Sequence, residues 1–259
     1  MANAAVVVLL FSGVLNKPAP VSTEVYIGPH GPYRFLVDTG AQSSMMDTTL
    51  AAELRLTPQF RVELVTAQTT QIVPGAKLRT LRVDQSALPE AEVLFHEMSE
   101  PRRLNASIRG VLGLSALSGL NFMLTPAIGK LDFAGEPPVG ETLKFWRLED
   151  RIAVKARMGE EILTLILDSG ASNVVLFRTP AAMAKTRPIA SNFTTIDGAR
   201  SVVPTTWTED MIFSDHLRLG TLPAAIVRRN GSQVDGLLPV SVFKKVYVDQ
   251  GRGEVVLVR

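Results

Sequence analysis

The segment Phe35-Leu36-Val37-Asp38-Thr39-Gly40-Ala41 returns 130 positions later as Leu165-Ile166-Leu167-Asp168-Ser169-Gly170-Ala171. Each copy sets a carboxylate at the end of an apolar run. In a low-dielectric site that group is costly unless it is hydrogen-bonded or shares a proton with a neighbour. The next residues can meet that need. Thr39 and Ser169 bring hydroxyls, while Gly40 and Gly170 let the backbone turn sharply and bring N–H groups close to an oxygen. One copy alone could be an ordinary turn, since Asp and Gly both favour turns. At average residue usage Asp-[Thr/Ser]-Gly arises by chance in roughly one chain of this length in ten. The weight therefore lies in the matched pair.

The 130-residue offset persists beyond the motifs, which marks an internal repeat. Ile72-Val73-Pro74 is echoed by Val202-Val203-Pro204 at the same offset, and Gly110-Val111-Leu112-Gly113-Leu114-Ser115 by Gly236-Leu237-Leu238-Pro239-Val240-Ser241 at an offset of 126. Each half reads as strand, Asp motif, short helix, hairpin, strands, apolar turn, helical turn and final strand.

A chain of 259 residues with 46% apolar content can bury one large or two small cores. Short apolar or alternating runs predict strands at Ser22–Ile27, Tyr33–Val37, Lys77–Val83, Glu92–Phe95, Ile152–Ala156 and Ile162–Leu167. Short helices are expected at Asp47–Leu54, with Asp47 as N-cap, and at Pro180–Lys185, with Thr179 as cap. Ala134–Gly140 is rich in Pro and Gly and is read as the boundary between two domains, 21–134 and 141–259.

With these residues in view, the chain resembles the aspartic peptidases of the pepsin and retropepsin superfamily, above all bacterial proteins with two retropepsin-like units in tandem. The resemblance implies an all-β fold of two β-barrel lobes with short helices, related by a pseudo-twofold axis. It implies that Asp38 and Asp168 meet as a catalytic dyad between the lobes. Thr39 and Ser169 would interlock across it, with Gly40 and Gly170 as supporting positions. Two carboxylates in contact hold one proton between them. One then acts as base on a water and the other as acid on the scissile carbonyl, with an activity optimum on the acid side of neutrality. Val111-Leu112-Gly113 matches the family segment that runs beside the catalytic loop. Leu237-Leu238-Pro239 departs from it, because Pro239 lacks a backbone donor.

Family flaps are β-hairpins, and Val65–Pro74 and Ile196–Pro204 are the corresponding segments. Substrate contacts are expected at Thr66, Gln68 and Thr69 in the first and at Gly198 in the second, where Asp197-Gly198 is a strong turn signal. The implied partner is a peptide or protein substrate, handled by a monomer whose halves form an intramolecular pseudo-dimer. The alternatives are a peptide-binding protein without turnover and pairing of each half with its copy in a second chain.

The chain has no cysteine, which excludes disulfides and thiolate chemistry. Its histidines, His30, His96 and His216, form no metal-binding motif, so neither a metal nor another cofactor is expected. Lys and Arg total 27 against 25 acidic residues without a basic run, which argues against nucleic acid. Ala4–Leu15 has the length of a signal-peptide core, so residues 1–20 are read as a possible signal or an extra first strand. Export to the periplasm or medium is the expectation, with a cytoplasmic location the alternative.

Overall fold

A computed structural model describes residues 20–66, 69–133, 135–148, 150–183, 187–195, 197–229 and 231–259. The possible signal or first strand at residues 1–20 falls almost wholly outside them. Among the described residues the fold is all-β with two short α-helices. A nine-stranded sheet draws on the first half of the chain, a ten-stranded sheet on the second, and a five-stranded sheet on both.

The two large sheets repeat one arrangement around the Asp motifs. His30–Asp38 lies between antiparallel Ser22–Ile27 and parallel Ile108–Gly113, and Ser44–Asp47 follows on the far side of Ile108–Gly113. Glu161–Asp168 likewise lies between antiparallel Arg151–Met158 and parallel Gly236–Pro239, with Val174–Leu176 beyond. A strand buried on both faces reads as a continuous apolar run, which is why Phe35-Leu36-Val37 and Leu165-Ile166-Leu167 show no alternation. All six side chains are buried.

The five-stranded sheet joins the halves. Phe122–Thr125 from the first half pairs with Lys245–Asp249 from the second, setting Phe122 opposite Val248 and Leu124 opposite Val246. Glu254–Val258 then pairs with Glu141–Lys144, which follows the strand-free stretch from Gly135 to Gly140. Side chains of both halves, among them Val37, Leu112, Leu167 and Leu238, belong to one continuous apolar core.

Local signals explain most elements. Thr48–Glu53 is helical, and Asp47 caps it by accepting from the Thr49 N–H at 2.9 Å. Two expectations change. Lys77–Val83 is not one strand: Thr70–Leu78 and Leu81–Val83 are separate and lie far apart in the sheet, because the exposed pair Arg79-Thr80 breaks the alternation that a half-buried strand requires. Pro180–Lys185 is represented by a single 3-10 turn, Ala181–Met183, whose first N–H is taken by Glu161 rather than Thr179; residues 184–186 lie outside the described residues.

Candidate active site

Asp38 and Asp168 end corresponding strands, level with Gly113 and Pro239 on their parallel neighbours. The chain then turns, and the turn supplies the first hydrogen bonds. Asp38 Oδ1 accepts from the N–H groups of Gly40 at 2.9 Å and Ala41 at 3.1 Å. Asp168 Oδ1 accepts from Gly170 at 2.7 Å and Ala171 at 3.0 Å. Both carboxyls are cut off from solvent, at 1% and 0% exposure, and among the described residues their Oδ2 atoms meet no donor apart from each other's carboxyl.

The loops are bolted together by their hydroxyls. Thr39 Oγ1 donates to the Leu167 carbonyl at 2.7 Å and accepts from the Ser169 N–H at 3.1 Å. Ser169 Oγ returns both contacts, donating to the Val37 carbonyl at 2.7 Å and accepting from the Thr39 N–H at 3.0 Å. Four bonds thus cross between halves within two residues of each aspartate. A hydroxyl can donate once and accept twice, so each uses its donor and one acceptor site here.

Burial dominates the electrostatics. It pushes Asp38 well above the ordinary carboxylate range, and the neighbouring Asp168 charge and hydrogen bond push it further. Asp168 is raised by burial to about 6, against the hydrogen bond from Asp38, the N–H groups of Gly170 and Ala171 and the Arg151 guanidinium, all of which favour its ionised form. The two carboxyls therefore titrate as one coupled pair that keeps a proton between them, both raised by burial.

Support for the two loops is unequal. Gly113 donates its N–H to Ser44 Oγ at 3.0 Å, and a β-carbon there would approach the Ser43 carbonyl oxygen to 2.4 Å. Pro239 in the matching place has no N–H to give.

The expected flaps are hairpins, Phe60–Val65 with Thr70–Leu78 and Ile189–Thr194 with Arg200–Trp207. Thr66 and Thr69 lie in the first turn, where the Thr69 N–H donates to Thr66 Oγ1 at 3.0 Å; Thr66 thereby holds the turn itself. Gln68 lies outside the described residues. Gly198 sits in the second turn at φ +84°, a left-handed conformation that favours glycine. The turns meet: Thr69 Oγ1 donates to Asp197 Oδ2, and Val65 packs against the apolar cluster around Phe193 and Val203. Asp197 entered the sequence reading only as a turn residue, and a contact between two hairpins leaves no mark in either one alone. Among the described residues, no group of three or more His, Cys, Asp or Glu side chains is placed to hold a metal ion.

Residues 23–116 match the aspartyl protease family, a stretch that includes Asp38, the first hairpin and the Val111-Leu112-Gly113 segment. A search of curated proteins finds no match to the chain. The match covers 94 of the 259 residues, so it shows a likeness of the first half to aspartyl proteases, in keeping with the all-β architecture.

Proposed function

We propose that the protein is an aspartic endopeptidase, with Asp38 and Asp168 acting as one acid and base pair on a peptide held between lobes 21–134 and 141–259. The observation that carries this reading is the pair of buried carboxyls, each pinned through Oδ1 by its own backbone, with both Oδ2 atoms left for chemistry. In this reading Asp168 is the ionised member: it takes a proton from a water positioned between the carboxyls, and the water oxygen attacks the scissile carbonyl carbon as its π electrons move onto the carbonyl oxygen. Asp38, protonated, donates a hydrogen bond to the scissile carbonyl and stabilises charge on its oxygen. The tetrahedral intermediate then collapses as a proton reaches the leaving nitrogen, so no covalent enzyme adduct forms. Pinning by Thr39 and Ser169 removes the cost of arranging the dyad at each turnover. The meeting of the two hairpin turns supports their role as a two-part cover over an extended peptide. The chain works as a monomer in this reading, exported to the periplasm or medium.

The test is cleavage of a peptide library by the wild type and by Asp38→Asn and Asp168→Asn. Loss of cleavage in both folded variants is expected, and turnover retained in both overturns the dyad. A second reading, peptide binding without turnover, is favoured by Pro239, which removes a backbone donor beside Asp168. Binding of uncleaved peptides by the wild type would select it.

A further inference from the structure

The two hairpins cover the sheet faces that carry the carboxyls. Alternate residues of a strand share a face, so Leu36 stands on the side of Asp38 and Ile166 on the side of Asp168. Leu36 continues across the sheet into Val111 and Met45, and Ile166 into Leu237 and Val175. Protein already covers each row. Leu64 and Val73 of the first hairpin belong to the apolar cluster around Leu36, and Phe193 and Val203 of the second to the cluster around Ile166. All four are buried, as are the carboxyls. For a peptide to reach the dyad, a hairpin has to lift.

The second hairpin is held down by the first half. Besides the Thr69 contact to Asp197, the Arg200 guanidinium donates to Glu100 at 3.0 Å. Gly198 lies close by, where a β-carbon would stand 3.5 Å from Glu100 Cγ. Glu100 belongs to the helix Ser99–Leu104, in which Arg103 adds a second contact to its carboxylate at 3.1 Å. That helix is firmly mounted: Pro101 is buried, and Arg102 pairs with the fully buried Asp47 at 2.7 Å. The Glu100 side chain is only 14% exposed, so its charge is less screened than that of a surface pair. The repeat supplies no second helix of this kind. Between Pro223–Ile226 and Gly236–Pro239, the corresponding stretch of the second half holds none among the described residues.

We propose that the helix Ser99–Leu104 is a one-sided catch that holds the second hairpin shut over the dyad in the resting protein, and that a peptide enters when Glu100 releases Arg200. The inference rests on the endopeptidase reading. The catch then sets the fraction of protein open to substrate, and loosening it strengthens apparent binding by the same factor. Because the chain has no cysteine, a single introduced one reports on opening without background. Val203→Cys puts a thiol under the second hairpin and Val248→Cys puts a control in the shared sheet, both at buried positions. Adding Glu100→Gln is expected to speed alkylation by iodoacetamide about fivefold at 203 and not at 248, the upper end of what an exposed ion pair contributes. Arg200→Gln is the second variant if the first does not fold. The same change should raise kcat/KM for cleaved peptides about fivefold, through KM. Unchanged alkylation at 203 overturns the catch, and so does an equal rise at both sites, which marks general loosening. Faster alkylation at 203 with unchanged kcat/KM overturns its role in peptide entry. If the wild type and Glu100→Gln both cleave nothing, the endopeptidase reading falls, and alkylation at 203 against 248 decides the catch alone.

Discussion

Gly40 lies so close to Asp168 that a β-carbon on it would come within 2.3 Å of the carboxyl carbon. Gly170 makes the reciprocal approach to Asp38, at 2.7 Å. Each glycine of one motif is thus the wall against which the other motif's carboxyl rests. Gly40→Ala should displace Asp168, cost about 1–3 kcal/mol of stability through overpacking, and lower kcat by about a hundredfold, the penalty of roughly 1 Å of misplacement. Thermal unfolding and peptide cleavage check both, and full turnover in a folded Gly40→Ala protein would show that the carboxyls need not sit this close.

Removing the Asp168 charge should stabilise the protein. The folded pKa of Asp168 lies above its usual 3.8, so the stability linked to its neutral form is complete below about 4 and lost as pH rises through about 6. At roughly 1.4 kcal/mol per unit, that amounts to about 3 kcal/mol at neutral pH. Asp168→Asn keeps an oxygen for the N–H groups of Gly170 and Ala171 and cannot ionise. Its Tm should exceed that of wild type at pH 7.5 and converge on it at pH 4, and a Tm lower at both values would contradict this account.

The pH dependence of cleavage follows from the same shifts. With both carboxyls protonated no base is present, so kcat/KM should rise as Asp168 ionises near pH 6. It should fall again only where Asp38, raised well above the carboxylate range, loses its proton. Burial thus sets the rising limb near pH 6, on the acid side of neutrality. A rate that is maximal at pH 4 and already declining at pH 6 would refute it.

A third buried carboxylate responds in the opposite sense. Asp47 is fully buried, and burial alone would raise its pKa. The Thr49 hydroxyl and N–H, the Arg102 guanidinium at 2.7 Å and the Met98 N–H at 3.3 Å outweigh that and hold it below the usual value. Its contribution is present at neutral pH and lost as pH falls into the acid range. Arg102 is about one-third exposed, so the loss in Arg102→Ala should be about 2 kcal/mol rather than the full cost of breaking a buried pair. Urea denaturation at pH 7 and pH 3 should show the difference shrinking on the acid side.

How much of this was legible depends on how local each signal is. The Asp motifs, the helix capped by Asp47 and the two hairpins are written in short runs of residues whose spacing fixes their form. The break at Arg79-Thr80 was legible too, as two polar residues in succession, but it was overrun by the apolar residues on either side. The Thr69–Asp197 contact was not, since it depends on segments brought together from opposite halves. The crossed bonds of Thr39 and Ser169 lie between these cases: family resemblance implied an interlock, but its four partners became visible only with both loops in place.

The shared sheet in which Phe122 faces Val248 has a consequence for how such a site responds to dilution. Two aspartates supplied by separate chains would part company as concentration falls, and each change to one would be copied in the other. Carried on one covalent thread, the pair meets at an effective concentration set by the chain itself. Each half is then free to change alone, so that proline can stand at 239 while glycine stays at 113.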